Sequence, residues 1–239
     1  EAIIFDCDGV LVDTEYLKFL AWQSAFNEKG VEFSIEDYRP LVGHSSVNIL
    51  HLFQQKKGVQ IPIEVIDLKN KKYSDLQKKG VIPIENMVAF ARSLADQKQE
   101  LKLTLGLASS APKKEILENL KQIALENIFD MILSGSDDLE CYSDPEGTNK
   151  PKPYVYMEMA KRLGVEPKKC LVFEDTEVGV EAAARAGMIV VATPNQYTLQ
   201  QDFSKAHQII FSNEELVIDY SSSSNNSDCN ADTQGNKRS

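Results

Sequence analysis

Two carboxylates one residue apart, Asp6 and Asp8, directly follow the apolar run Ala2-Ile3-Ile4-Phe5 and directly precede Gly9. Side chains of a regular strand alternate faces, so Asp6 and Asp8 would point the same way at its end. Two like charges on one face repel by roughly 4 kcal/mol at 4 Å for an effective dielectric of about 20. A shared cation or a shared proton removes that repulsion. A hard ion such as Mg2+, which takes one or two carboxylates and keeps several waters, suits the pair. The competing reading is a plain polar turn, because Asp-Gly is a common turn dipeptide.

Three further polar signals fall at comparable places. Ser109 follows the apolar stretch 103–108, and Ser110 stands beside it. Lys150 opens Lys150-Pro151-Lys152-Pro153 ahead of a helical segment, and Glu174-Asp175 follows the apolar run 170–173. Each has an ordinary explanation: a helix cap for Ser109, a surface charge for Lys150, and acidic residues favoured by a helix dipole for Glu174 and Asp175. Lys152 reads as a solvated charge. The four signals together, in this order, are hard to assign to chance.

These residues need elements that bring them to one edge. Strand-like apolar runs occupy 2–5, 101–107, 131–133, 170–173, 188–192 and 208–211. Amphipathic helical segments lie at 85–97, 113–123, 154–163, 177–186 and 199–206. That alternation predicts an α/β fold, a doubly wound parallel sheet with helices on both faces. Ligands of such sheets bind beyond the carboxyl ends of the strands, where all four signals fall. Residues 15–80 break the alternation and read as helical throughout, with runs at 46–57 and 63–79. They predict a helical cap, residues 15–82, inserted into a core of residues 1–14 and 83–220, with hinges near 13–15 and 79–83. Residues 221–239 are rich in Ser, Asn and Asp and predict a disordered tail. The polar, glycine-led loop Gly43-His44-Ser45-Ser46 offers the cap's candidates for contacting substrate. Thr14 and Ser110, beside the first and second motifs, join them. Lys18, Lys69 and Lys72 could grip a distal anion, although Lys-rich helices usually present solvated faces.

With 239 residues and 42% hydrophobic content, the chain can bury a substantial core. A net charge of -10 argues against nucleic acid and against an anionic membrane surface. No stretch has the roughly 20 apolar residues of a membrane span. The four cysteines, Cys7, Cys141, Cys170 and Cys229, are too scattered for a zinc site or a disulfide framework. The expectation is a cytoplasmic protein in a reducing compartment, or an organellar one if a transit segment preceded Glu1. A monomer or weak dimer completes it, and a small anionic substrate is compatible with the net charge.

The motif series Asp-x-Asp-Gly-Val, Ser, Lys-Pro-x-Pro and Glu-Asp resembles that of the haloacid dehalogenase superfamily. The resemblance spans nearly all of the chain except the tail. Asp6-Cys7-Asp8-Gly9-Val10 with Ala21-Trp22 is similar to the β-phosphoglucomutase-like branch. Tyr197-Thr198 with Asp202-Phe203 is similar to its sugar-bisphosphate phosphatases, such as those acting on xylulose bisphosphate. The resemblance implies a Rossmann-like core with an α-helical cap. It implies Asp6 as nucleophile, Asp8 as general acid and base, and Ser109 and Lys150 as partners of the phosphoryl group. It also implies Mg2+ held by Asp6, the Asp8 carbonyl and Asp175, with Glu174 ligating through water or orienting the site. Mutases of the branch carry a cap arginine where Val42-Gly43-His44-Ser45-Ser46-Val47 has none, and a histidine where this chain has Lys18. The resemblance therefore implies, as the first reading, hydrolysis by water of a small phosphorylated metabolite such as a sugar phosphate, with a phosphomutase the second and a non-catalytic binding protein the third.

Overall fold

In a computed structural model that describes residues 1–211, strands and helices alternate along the chain. The expected tail, 221–239, lies outside the described residues. The elements run β1 Ala2–Phe5, β2 Val12–Asp13, α1 Glu15–Asn27, α2 Ile35–Tyr38, α3 Ser46–Lys57, α4 Val65–Gln77, β3 Ile82–Pro83 and α5 Glu85–Leu101. They continue with β4 Thr104–Ser109, α6 Lys113–Gln122, β5 Met131–Ser134, α7 Tyr154–Leu163, β6 Cys170–Glu174, α8 Glu177–Arg185, β7 Ile189–Ala192 and β8 Gln208–Ile209.

The main sheet has the order β5-β4-β1-β6-β7-β8, and every pairing in it is parallel. Strand alternation divides its core in two. Ile3 and Phe5 enter one apolar cluster with Met87 and Phe90 of α5 and with Ile116 and Leu120 of α6. Ala2 and Ile4 enter the other with Val155 and Met159 of α7 and with Val180 and Ala183 of α8. Each fully buried Leu, Ile or Phe contributes roughly 1.5–3 kcal/mol, so both faces drive the layering. No helix among the described residues is long and apolar enough to cross a membrane.

Helices α1 to α4 form the inserted cap around a third cluster containing Phe19, Trp22, Phe26, Phe33, Tyr38 and Phe53. The chain enters and leaves the cap through an antiparallel ribbon, with Val12 opposite Pro83 and Asp13 opposite Ile82. The cap is not helical throughout. The chain breaks after α1, and Ser34 starts α2 with a reciprocal capping box to Asp37.

Two other elements differ from expectation. Residues 199–206 form no helix. Gln201 N–H closes on the Thr198 carbonyl, and Asp202 accepts the Ser204 N–H at 2.8 Å, so short turns replace i to i+4 bonding. Leu199 is exposed and Phe203 buried, and their four-residue spacing imitates a helical face. Strand β4 starts at Thr104 because α5 runs on through Leu101 and ends at Lys102 with φ 53°.

Candidate active site

Strand β1 lies between β4 and β6, with Phe5 opposite Leu107 on one side and Phe173 on the other. The residues that follow in register are therefore neighbours, Asp6, Ala108 and Glu174, with Ser109 one residue further along β4. The Asp6 N–H donates to the Phe173 carbonyl at 3.0 Å, which extends the ladder past the end of β1. Gly9, with φ 82°, turns the chain away from the sheet. A Cβ on it would lie 1.9 Å from Oδ2 of Asp175, so the missing side chain leaves room for that carboxylate.

Lys150 stands at the centre. Its ammonium donates to Asp6 Oδ1 and to Glu174 Oε1, both at 2.6 Å, and to the Ala108 carbonyl at 3.3 Å. Burial opposes its charge, but Asp6 and Glu174 outweigh that and hold its pKa well above the usual lysine range. The Tyr156 hydroxyl also donates to Glu174 Oε1. Glu174 lies where a Cβ on Gly179 would be 2.1 Å from its carboxylate.

The carboxylate oxygens of Asp6, Glu174 and Asp175 lie within 4.8 Å of one another, and all three residues are buried. One ammonium does not balance three carboxylates. Burial, Glu174 and Asp8 push the Asp6 carboxyl up to about 7 despite Lys150. Burial, then Glu174 and Asp6, raise Asp175 well above the carboxylate range. An all-oxygen donor set with surplus negative charge fits a hard divalent cation.

The Asp8 carboxylate belongs to a different set of partners. Thr14 Oγ1 donates to its Oδ1 at 2.7 Å and Asn119 Nδ2 at 3.3 Å, while Lys18 Nζ lies 3.5 Å from its Oδ2. Lys18 also pairs with Glu15 at 2.7 Å, and Glu15 accepts the Tyr38 hydroxyl at 2.7 Å. Charged side chains from the cap thus reach the core.

The other candidates are spread more widely. Ser109 is buried, and its hydroxyl accepts the Ala111 N–H at 3.1 Å. The Ser110 carbonyl accepts the Ser136 hydroxyl at 2.9 Å. Gly43 packs on the start of α8, where a Cβ would meet Thr176 at 3.0 Å. His44 is half-buried, and burial lowers its pKa against the pull of Glu177. Ser45 caps α3 through the Asn48 N–H, and Ser46 Oγ accepts from Lys69 at 3.5 Å.

Of the candidate cap lysines, Lys18 sits on Asp8, while Lys72 pairs with Glu28 at 2.5 Å. Lys69 lies over the rings of Trp22 and Tyr73, 5.5 and 5.6 Å from their centroids. Burial lowers its pKa to about 8. Lys152 is not a free solvated charge. It pairs with Asp144 at 3.2 Å and Glu146 at 2.7 Å, and so ties the 137–148 segment to the Lys-Pro turn.

Sequence reasoning missed Asn119, Tyr156 and Asn195, which contact Asp8, Glu174 and Asp175. No local motif marks Asn119 or Tyr156, which lie within amphipathic helices.

A parallel sheet with acidic strand ends, a buried lysine between carboxylates and a helical cap inserted after β1 define a hydrolase fold of one kind. The haloacid dehalogenase-like hydrolase profile matches residues 3–193, and the chain belongs to that family. It is 31% identical over 194 residues to the phosphorylated carbohydrates phosphatase of Thermotoga maritima, covering 79% of this chain and 82% of that protein. It is also 31% identical over 202 residues to the β-phosphoglucomutase of Bacillus subtilis, covering 80% and 82%. The crystal structure of CbbY from Rhodobacter sphaeroides in complex with phosphate superposes with a TM-score of 0.72 at 24% identity, covering 88% and 93%. At that identity the structural match speaks for the fold.

Proposed function

We propose that this hydrolase is a Mg2+-dependent phosphatase of phosphorylated carbohydrates, sugar phosphates or sugar bisphosphates, working through an aspartyl phosphate. The observation that carries the reading is Lys150 bonded to both Asp6 and Glu174 at 2.6 Å, with Asp175 beside them. The phosphatase relative in Thermotoga maritima supports the substrate class.

Asp6, Asp175 and Glu174 would hold the cation, with the Asp8 carbonyl. When bound, Mg2+ supplies positive charge against an anionic nucleophile and an anionic phosphoryl group. The Asp6 carboxylate attacks phosphorus, and the bond to the leaving oxygen breaks. Asp8 gives that oxygen its proton. Asp8 then takes a proton from water as the water oxygen attacks phosphorus, and the acyl phosphate bond breaks to release phosphate and free Asp6. Lys150 neutralises charge at Asp6, and Ser109 hydrogen-bonds a phosphoryl oxygen. Gly43, His44, Ser45, Ser46, Thr14 and Ser110 are the candidates for the remainder of the substrate.

The test is phosphate release from a panel of phosphorylated metabolites, with Mg2+ and with chelator, beside Asp6→Asn. Turnover should require Mg2+ and vanish in the variant. Turnover that survives in Asp6→Asn overturns the nucleophile. The β-phosphoglucomutase relative favours a second reading, transfer of the phosphoryl group back to a sugar. Product analysis with β-glucose 1-phosphate and a bisphosphate activator separates hydrolysis from isomerisation.

A further inference from the structure

Asp175 Oδ2 accepts a hydrogen bond from Asn195 Nδ2 at 2.8 Å. Asn195 lies in the loop after β7, remote in sequence from the acidic motif. Its amide orientation follows from its other partner. The Tyr197 N–H can only donate, and it lies 2.9 Å from Oδ1, which leaves the NH2 group facing Asp175. The turn is closed on itself: Asn195 N–H donates to Thr198 Oγ1 at 3.0 Å, and the Asn195 carbonyl accepts from Thr198 and Leu199.

The same loop also touches the cap. Tyr197 packs against the cap's apolar cluster. Gln201 Nε2 donates to the Val42 carbonyl at 3.1 Å, immediately before the Gly43–Ser46 loop, while Gln201 Oε1 accepts the Glu177 N–H at 2.8 Å. One short segment, 195–201, therefore contacts both a buried carboxylate of the acidic cluster and the cap.

We propose that Asn195 is a positioning residue for Asp175, and that Tyr197 and Gln201 make its hold depend on the seating of the cap. The inference rests on the reading of Asp6, Glu174 and Asp175 as the cation-binding group. Hydrogen-bond partners of ligating carboxylates tune metal affinity. A link between cap and carboxylate is reciprocal: whatever unseats the cap weakens the cation, and the cation steadies the cap.

The experiment is a substrate-free titration of chelator-treated protein with Mn2+, followed by the electron paramagnetic resonance signal of free Mn2+. Asn195→Ser keeps a side-chain acceptor for the Tyr197 N–H but cannot reach Asp175, so the turn survives without the donor. It should bind Mn2+ roughly tenfold more weakly than wild type. Gln201→Ala, which leaves Asn195 in place, should weaken binding about threefold or more by loosening the loop. A wild-type protein that binds no Mn2+ overturns the cation reading itself. Wild-type binding with Asn195→Ser within twofold overturns the role of Asn195. A weakened Asn195→Ser beside an unchanged Gln201→Ala overturns the link to the cap.

Discussion

Lys18 of the cap and Asp8 of the core face each other at 3.5 Å. Burial disfavours the lysine's charge, but Asp8 and Glu15 hold its pKa well above the usual range. The ammonium thus fixes the carboxylate from the side opposite Thr14 and Asn119.

Lys18→Met should therefore lower kcat about tenfold, or about 1.4 kcal/mol of barrier, through loss of that ion pair. The expected change is in turnover on sugar phosphates, with little change in KM. Steady-state kinetics check it. An unchanged kcat would mean that Lys18 does not restrain Asp8.

The acidic cluster makes a prediction about stability. Lys150 bonds Asp6 and Glu174, with Asp175 beside them, so three buried carboxyl groups crowd one ammonium and bringing all three to charge costs stability. Asp6→Asn removes one such charge and keeps the side-chain shape. In chelator its melting temperature should exceed wild type by several degrees, since about 1 kcal/mol corresponds to about 2–4 °C at this size. Differential scanning fluorimetry reads the result. Equal melting temperatures would show that the cluster is already balanced.

Gly179 separates helix propensity from function. Alanine is favoured over glycine in a helix by about 1 kcal/mol. Here its Cβ would lie 2.1 Å from the Glu174 carboxylate. Gly179→Ala should force Glu174 off Lys150 and cut kcat by about 10²-fold or more, the scale of losing one preorganised electrostatic group. A fully active variant would show that the Glu174–Lys150 pair is dispensable.

Much of this was legible in the sequence because strand ends and motifs coincide. The runs before Asp6 and Glu174 are apolar because both sheet faces are covered, and their carboxyl ends fix the edge. Residues whose only signal is tertiary were not legible. Asn119 and Tyr156 look like ordinary members of α6 and α7, and Lys18 like one more surface lysine on a helix. The false helix at 199–206 has the same origin. Leu199 and Phe203 have helical spacing, but Asn195 and Thr198 bond the backbone into turns first.

Asp37 predicts an acid sensitivity of the cap. Burial alone would raise its pKa, but hydrogen bonds from Lys57, Lys56 and Ser34 overcome this and hold it at about 2. A depressed carboxylate contributes stability above its unfolded pKa of 3.8 and loses it as pH falls from there towards about 2. The shift caps the effect at about 2.4 kcal/mol. The two lysines are 53% and 40% exposed, so screening reduces it to about 1 kcal/mol. The gap in urea midpoint between wild type and Asp37→Asn should shrink between pH 5 and about pH 3. A constant gap would mean that these pairs do not stabilise the fold.

The ribbon that joins Val12–Asp13 to Ile82–Pro83 has a consequence for how such a protein can change over time. Paired strands lie about 4.8 Å apart, so the entire cap is spliced into the core between two adjacent points. Any insert whose own ends meet at that spacing could take its place without disturbing a rung of the main sheet. The core can keep one chemistry while the cassette above it is lengthened, shortened or exchanged. An insertion in only one of the two connectors would shear the ribbon instead.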